Sequence, residues 1–476
     1  MNRLIAKTVT STLIGLLSPA MAQNPGTEPA LSPPQEVSAS WNVIGWKPSD
    51  QLLLVTRSNA SIHSAIPSDA PVDRGGKQWI GTWATSPQPA MPGPVQTFRN
   101  QTLRLIVHTS VGGTEVRIKI SNTFGDHPLQ IGSAHIARRT SETGIDPTSD
   151  RPVMFNGHAS TTVARRSMVV SDPIKLAVPA LSDLAISVFL PDATEATTSH
   201  ILAMQTSYVS DVGDSTAAAK FPVAGETIHS WPFLTGVDVV ASARGVAIVA
   251  FGSSLTDGDG TTRDSNGRWP DVLAERLQKG ADRAVGLLNE GIIGNRLLND
   301  SPQQAGSPFG AALGQAGLAR FERDVLAQAG VRYVIVGLGI NDIAFPGSLT
   351  PATESVRAES VIAGYRQLIA RAHQKGIRVI GTTNPPFENS FLALAPPTPA
   401  ITFFTLEKES TRQKVNDWIR TGGEFDGVVD LDEVLRDPSH PTRLLPSYDS
   451  GDHLHPNNAG CLAEGNAFPL ALFEGH

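Results

Sequence analysis

The stretch Val249-Ala250-Phe251-Gly252-Ser253-Ser254-Leu255-Thr256-Asp257-Gly258 decides how this chain is read. An apolar run that breaks at Gly-Ser-Ser is the pattern of a buried strand ending in a turn. It sets a hydroxyl at the carboxyl end of a sheet, where open α/β sheets bind their ligands. Around it, apolar runs at 246–251, 285–288, 333–336, 379–382 and 428–431 alternate with helical patterns at 269–278, 355–375 and 410–420. That alternation predicts a parallel sheet covered on both faces over residues 244–476.

Upstream the texture differs. Glu115-Val116-Arg117-Ile118-Lys119-Ile120-Ser121 alternates apolar with polar, as does part of 102–108, with Val111-Gly112-Gly113-Thr114 between them as a turn. Further short runs at 167–170, 174–178 and 184–190 are punctuated by Asp-Pro, Pro-Ala and Pro-Asp. Many short strands and few helical patterns predict an antiparallel β-sandwich over residues 78–243. Residues 23–77 read as an extended leader rich in Pro, Ser and Ala, with one apolar run at 52–55. In residues 1–22 a basic start (Arg3, Lys7), an apolar middle and Ala20-Met21-Ala22 fit a cleaved export signal, so a secreted or periplasmic location is expected. The apolar middle is too short and interrupted to span a bilayer, so no stable membrane insertion is expected.

The net charge of −7, with positive residues scattered along the 476-residue chain, offers no basic face for nucleic acid. Cys461 is the single cysteine, which rules out an intramolecular disulfide and a cysteine-based zinc site. Asp257-Gly258-Asp259-Gly260 begins like a calcium loop, yet Thr261, Thr262 and Arg268 stand at positions five, six and twelve. Gly-x-Ser-x-Gly, His-Glu-x-x-His and a Walker Gly-Lys-Ser/Thr are absent. Trp41, Trp46, Trp79, Trp83 and Trp231 precede the α/β part; they either stack on sugars or, the favoured reading, fill a core.

Three later blocks fit the chemistry of a serine nucleophile: Asn289-Glu290-Gly291-Ile292-Ile293-Gly294-Asn295, Gly337-Leu338-Gly339-Ile340-Asn341-Asp342 and Asp452-His453-Leu454-His455-Pro456. A serine hydroxyl is weakly nucleophilic, so it needs a base within hydrogen-bond reach and donors for the oxyanion that its attack creates. The blocks supply a His, a carboxylate to fix its tautomer, and amide donors. Taken from the residues alone, Ser253 competes with Ser254, His453 with His455, Asp449 with Asp452, and Gly291 with Gly294.

With these four blocks in this order, the chain from about Gly245 onward resembles the GDSL, or SGNH, hydrolases, a family of esterases and lipases. The resemblance implies a flavodoxin-like three-layer α/β domain with its site at the carboxyl ends of the strands. It implies that Ser254, His455 and Asp452 form the triad, with the backbone of Ser254 and Gly294 and the side chain of Asn341 as oxyanion donors. Asn295 and Asp342 then brace loops, His453 faces solvent or lines the pocket, and no cofactor or metal is needed. One departure stands out: the family's usual Asp before the nucleophile is Ser253 here, expected to hydrogen-bond neighbouring backbone instead. The expected substrate is a small-molecule or glycan-linked ester, with loops near 300–315 and 386–404 shaping the pocket. Acyl transfer to an acceptor other than water would use the same residues. A carbohydrate- or envelope-binding protein with a vestigial hydrolase domain is the alternative of a different class.

Overall fold

The computed structural model describes residues 77–241, 245–280, 283–302, 307–394 and 398–474. The export signal, the leader with its run at 52–55, Trp41 and Trp46 lie outside the described residues.

Five strands, Val246–Gly252, Val285–Asn289, Val331–Gly337, Arg378–Thr382 and Gly427–Val429, build the central sheet. All neighbours are parallel, and in chain order the strands lie 2-1-3-4-5. The chain reverses its direction of travel between strands 1 and 3, so their ends, paired at Gly252 and Gly337, border the crevice such sheets use for ligands. Both faces are buried, which is why the strands read as continuous apolar runs. Ile248 and Ala250 pack on Trp269, Leu273 and Leu277 of helix Trp269–Gly280 and on Cys461. Val249 and Phe251 pack on Val361, Tyr365 and Leu368 of helix Ala358–His373 and on Val415 and Ile419 of helix Leu406–Thr421. The last strand is shorter than the run at 428–431 implies. Asp430 ends it by capping helix Leu431–Leu435, accepting the Glu433 N–H at 3.1 Å.

Beside a three-stranded and a two-stranded sheet, the β part is built on two large antiparallel sheets. One orders Trp79–Ala84, Leu234–Val240, Gly113–Ser121 and Ile174–Val178, with Met168–Val170 beside the third of these. The other orders Val223–Ile228, Ser207–Val212, Thr97–His108, Asp183–Glu195, Ser133–Arg138 and Arg151–Pro152. Leu103, Leu105, Ile118, Ile136, Ile186 and Val237 belong to the core they enclose. Trp79, Trp83 and Trp231 are buried, the last two edge-to-face with ring centroids 5.0 Å apart, so these three serve packing.

The sandwich also covers the outer edge of strand Val285–Asn289. A Cβ on Gly286 would lie 2.0 Å from the Gly81 carbonyl oxygen, so only glycine allows the two backbones to approach this closely. The Leu287 N–H on that edge donates to Ser110 Oγ at 2.9 Å. An edge that would otherwise offer unpaired N–H groups is thus closed by the β part.

Candidate active site

After Gly252 the chain leaves the sheet through an extended Ser253 (φ −108°, ψ −153°), and Ser254–Asp257 makes one helical turn closed by Gly258 at φ 104°. A Cβ on Gly252 would lie 2.0 Å from Thr256 Oγ1, so glycine is what lets the turn fold back on the strand end. Ser254 Oγ lies 2.8 Å from His455 Nε2. Ser253 behaves differently from expectation: its Oγ is buried and makes no hydrogen bond among the described residues, so it does not brace neighbouring backbone.

His455 precedes helix Asn458–Ala467 by three residues, and Asn457 caps that helix through the Ala459 and Gly460 N–H groups. His455 Nδ1 meets Asp452 Oδ2 at 2.5 Å, and Asp452 Oδ1 accepts the N–H groups of Leu454 and His455, both at 2.9 Å. Burial works against the Asp452 charge, yet the His455 imidazole and these N–H donors outweigh it and hold the carboxyl far below its ordinary range. Burial likewise opposes an imidazolium at His455. The bond to Asp452 and the charges of Asp259, Asp452 and Asp449 prevail, raising its pKa above the ordinary value. Asp259 entered the sequence reading only as part of the calcium-loop resemblance: its Oδ2 stands 3.7 Å from His455 Nε2. Its place five residues past Ser254 is the sequence signal that points toward the base.

His453, the rival base, sits at φ 62° with Nδ1 on Asp449 Oδ2 at 2.5 Å, its side chain 44% exposed and its ring against Phe391. No contact joins it to Ser254 among the described residues, and Asp449 hydrogen-bonds His453, reaching His455 only through its charge.

The two candidate glycines also separate. Gly291 N–H is spent on Asn289 Oδ1 at 2.9 Å, and a Cβ there would lie 2.4 Å from Asp257 N, so this glycine lets two backbones pack. Gly294, at φ 66°, and Ser254 keep N–H groups with no acceptor among the described residues. Asn341 Nδ2 donates one hydrogen to Asn295 O at 2.9 Å, which orients the amide and leaves its second hydrogen unspent. Asn295 and Asp342 brace loops as expected. Asn295 Nδ2 donates to Leu313 O and Gln315 O, and Asp342 accepts the N–H groups of Leu297 and Leu298 at 2.7 and 2.9 Å. Burial pushes the Asp342 carboxyl up to about 6 despite those donors.

Beneath these loops lies a residue the sequence gave no sign of. Arg320 is fully buried, 4.1 Å over the Phe251 ring, and donates to Gly252 O, Glu290 O, Asn295 Oδ1 and Ser86 Oγ at 2.8 to 3.0 Å. One guanidinium therefore ties the strand before Ser254 to the loop that carries Gly294. Beside the reacting groups, Leu255, Ile340 and Leu454 join an apolar cluster with Leu313, Phe345, Phe387 and Phe403, which brings both expected pocket loops to this side.

Residues 250–462 match the model of the GDSL-like lipase/acylhydrolase family. Over this region the chain is similar to that family. No curated protein matches the chain. Among solved structures, the chain is similar to an aryl esterase of M. smegmatis (20% identity, 47% of this chain and 95% of that one, TM-score 0.33). It is also similar to a carbohydrate acetylesterase from Sinorhizobium meliloti (17%, 47% and 95%, TM-score 0.34). A GDSL-like lipase from Bacteroides thetaiotaomicron is a third (17%, 48% and 87%, TM-score 0.31).

Proposed function

We propose that this protein is a serine esterase that cleaves carboxylic esters through an acyl-enzyme, with Ser254 as nucleophile, His455 as base and Asp452 as its orienting carboxylate. The hydrogen-bonded line Asp452, His455, Ser254 carries this reading. As Ser254 Oγ bonds to the ester carbon, His455 Nε2 takes its proton. The tetrahedral oxyanion is met by the N–H groups of Ser254 and Gly294 and the free amide hydrogen of Asn341. The ester C–O bond then breaks, and His455 returns the proton to the departing alcohol. Water repeats the cycle: His455 takes its proton, the acid leaves, and Ser254 Oγ recovers its hydrogen. Every step uses this chain's own residues.

The sheet order 2-1-3-4-5 with helices on both faces supports a flavodoxin-like arrangement of the domain. The pattern of residues 1–22 supports export, to the periplasm or beyond. Among the described residues no helix is long and apolar enough to cross a membrane. The reading is tested with a panel of p-nitrophenyl esters and acetylated glycans, identifying the acid and alcohol released. Turnover by the full chain that disappears in Ser254→Ala supports it. Retention of glycans without any hydrolysis would replace it with a binding function.

A further inference from the structure

The β-sandwich contributes a buried histidine to the loop beside the reacting serine. His200 closes the short strand Thr198–His200, and Asp257 lies three residues past Ser254; their side chains are each 1% exposed. His200 Nε2 stands 2.8 Å from Asp257 Oδ1 and 3.2 Å from Leu202 O, while Nδ1 stands 3.0 Å from Ser86 O. Oxygens face both ring nitrogens: Nδ1 donates to the Ser86 carbonyl, and Nε2 and the Asp257 carboxyl share a proton between them. Trp231 lies against the ring, centroids 5.6 Å apart, and is itself fixed by its Nε1–H on Ile106 O at 2.8 Å. The pair therefore has one geometry.

The other oxygen of Asp257 accepts the Ile293 N–H at 2.9 Å. Ile293 immediately precedes Gly294, whose own N–H is unspent, and the same loop packs its Gly291 against the Asp257 backbone. Asp257 thus couples the turn that holds Ser254 to the peptide that presents the Gly294 donor, and His200 decides where the Asp257 carboxylate points. Neighbouring sandwich residues reach the same loops. Ser86 Oγ donates to Glu290 Oε2 at 2.6 Å, and Gln88 Nε2 donates to Ala312 O at 2.6 Å while its Oε1 accepts Ile201 N–H.

We propose that His200 is a positioning residue for ester cleavage: through Asp257 it fixes the Ile293–Gly294 backbone so that the Gly294 N–H meets the oxyanion, which makes the sandwich part of the catalytic apparatus. This rests on the esterase reading and deepens it. A pair that merely glued the two parts together would affect how much protein folds, not how fast the folded protein reacts.

The test uses the full chain with His200→Gln, Asp257→Asn and the double variant. Two quantities are read per folded molecule, with folded protein measured by circular dichroism. One is kcat and KM on the best p-nitrophenyl ester; the other is the rate at which an alkyl fluorophosphonate phosphonylates Ser254, expelling fluoride and loading the same oxyanion donors. Each single variant is expected to lower kcat and the labelling rate together, by roughly 30-fold, with KM within about two-fold of wild type. The double variant should be no slower than Asp257→Asn alone, because both changes cut one chain of contacts. Unchanged rates per folded molecule, losses that only follow the unfolded fraction, or effects that multiply in the double variant would overturn the proposal. A wild-type protein that neither turns over esters nor reacts with the fluorophosphonate would instead overturn the esterase reading.

Discussion

His455 and His200 are both imidazoles bonded to an aspartate, one beside the reacting serine and one where the sandwich meets the α/β part. His455 carries Asp452 on Nδ1 and a serine hydroxyl on Nε2, whereas His200 carries a backbone carbonyl on Nδ1 and Asp257 on Nε2. A hydroxyl can give up its proton and take it back; a carbonyl cannot. The proton at His455 therefore has somewhere to go during a reaction, and the hydrogen bonds at His200 stay as fixed struts. His453 with Asp449 makes a third such pair, half exposed, whose outer nitrogen meets neither kind of partner among the described residues. The same two residue types thus serve three ends, set by what faces the far ring nitrogen.

The sharpest way to break this comparison is at the hydroxyl itself. Ser254→Ala should lower kcat on the order of 10⁵-fold or more without unfolding the protein. Asn341→Ala comes next: kcat should fall about 100-fold with KM nearly unchanged, because the amide hydrogen left free by Asn295 bonds the oxyanion better than the substrate carbonyl. A rise in KM with kcat intact would make Asn341 a substrate-binding or structural residue.

The pH profile probes the charge around the working imidazole. His455 is active only when neutral, and the carboxylates of Asp452, Asp259 and Asp449 favour its charged form, so kcat/KM should rise with pH through a midpoint above the ordinary imidazole value. Removing one carboxylate weakens that preference, so Asp259→Asn should move the acid limb to lower pH. A limb that stays put would show that Asp259 does not sense His455.

The smallest effects are expected at the near neighbours. Ser253→Ala removes a buried hydroxyl that has no partner, so it should keep most of the activity and leave the melting temperature equal or higher. His453→Ala should change kcat less than any substitution above.

Much of this was legible in the sequence because parallel strands buried on both faces appear as apolar runs, and because Asp452 and His455 lie close in the chain. The run at 428–431 misled only at its end, where the Asp430 cap starts a helix that an apolar Leu431 does not announce. Ser253 misled because nothing in the local sequence shows that its buried hydroxyl ends without a partner. The hidden residues share a different cause. His200 meets Asp257 across 57 positions and Arg320 meets Ser86 across 234, and no local pattern marks such a partner. Such a pair is legible only once the fold has brought its two members together.

The nucleophile assignment is tested most directly by mapping where the chain is acylated or phosphonylated. The full protein is treated with an alkyl fluorophosphonate, digested, and the peptide spanning 245–263 sequenced by mass spectrometry. The account expects one adduct, on Ser254, absent from both Ser254→Ala and His455→Ala. An adduct on Ser253, or one that persists at Ser254 after His455 is removed, would contradict it.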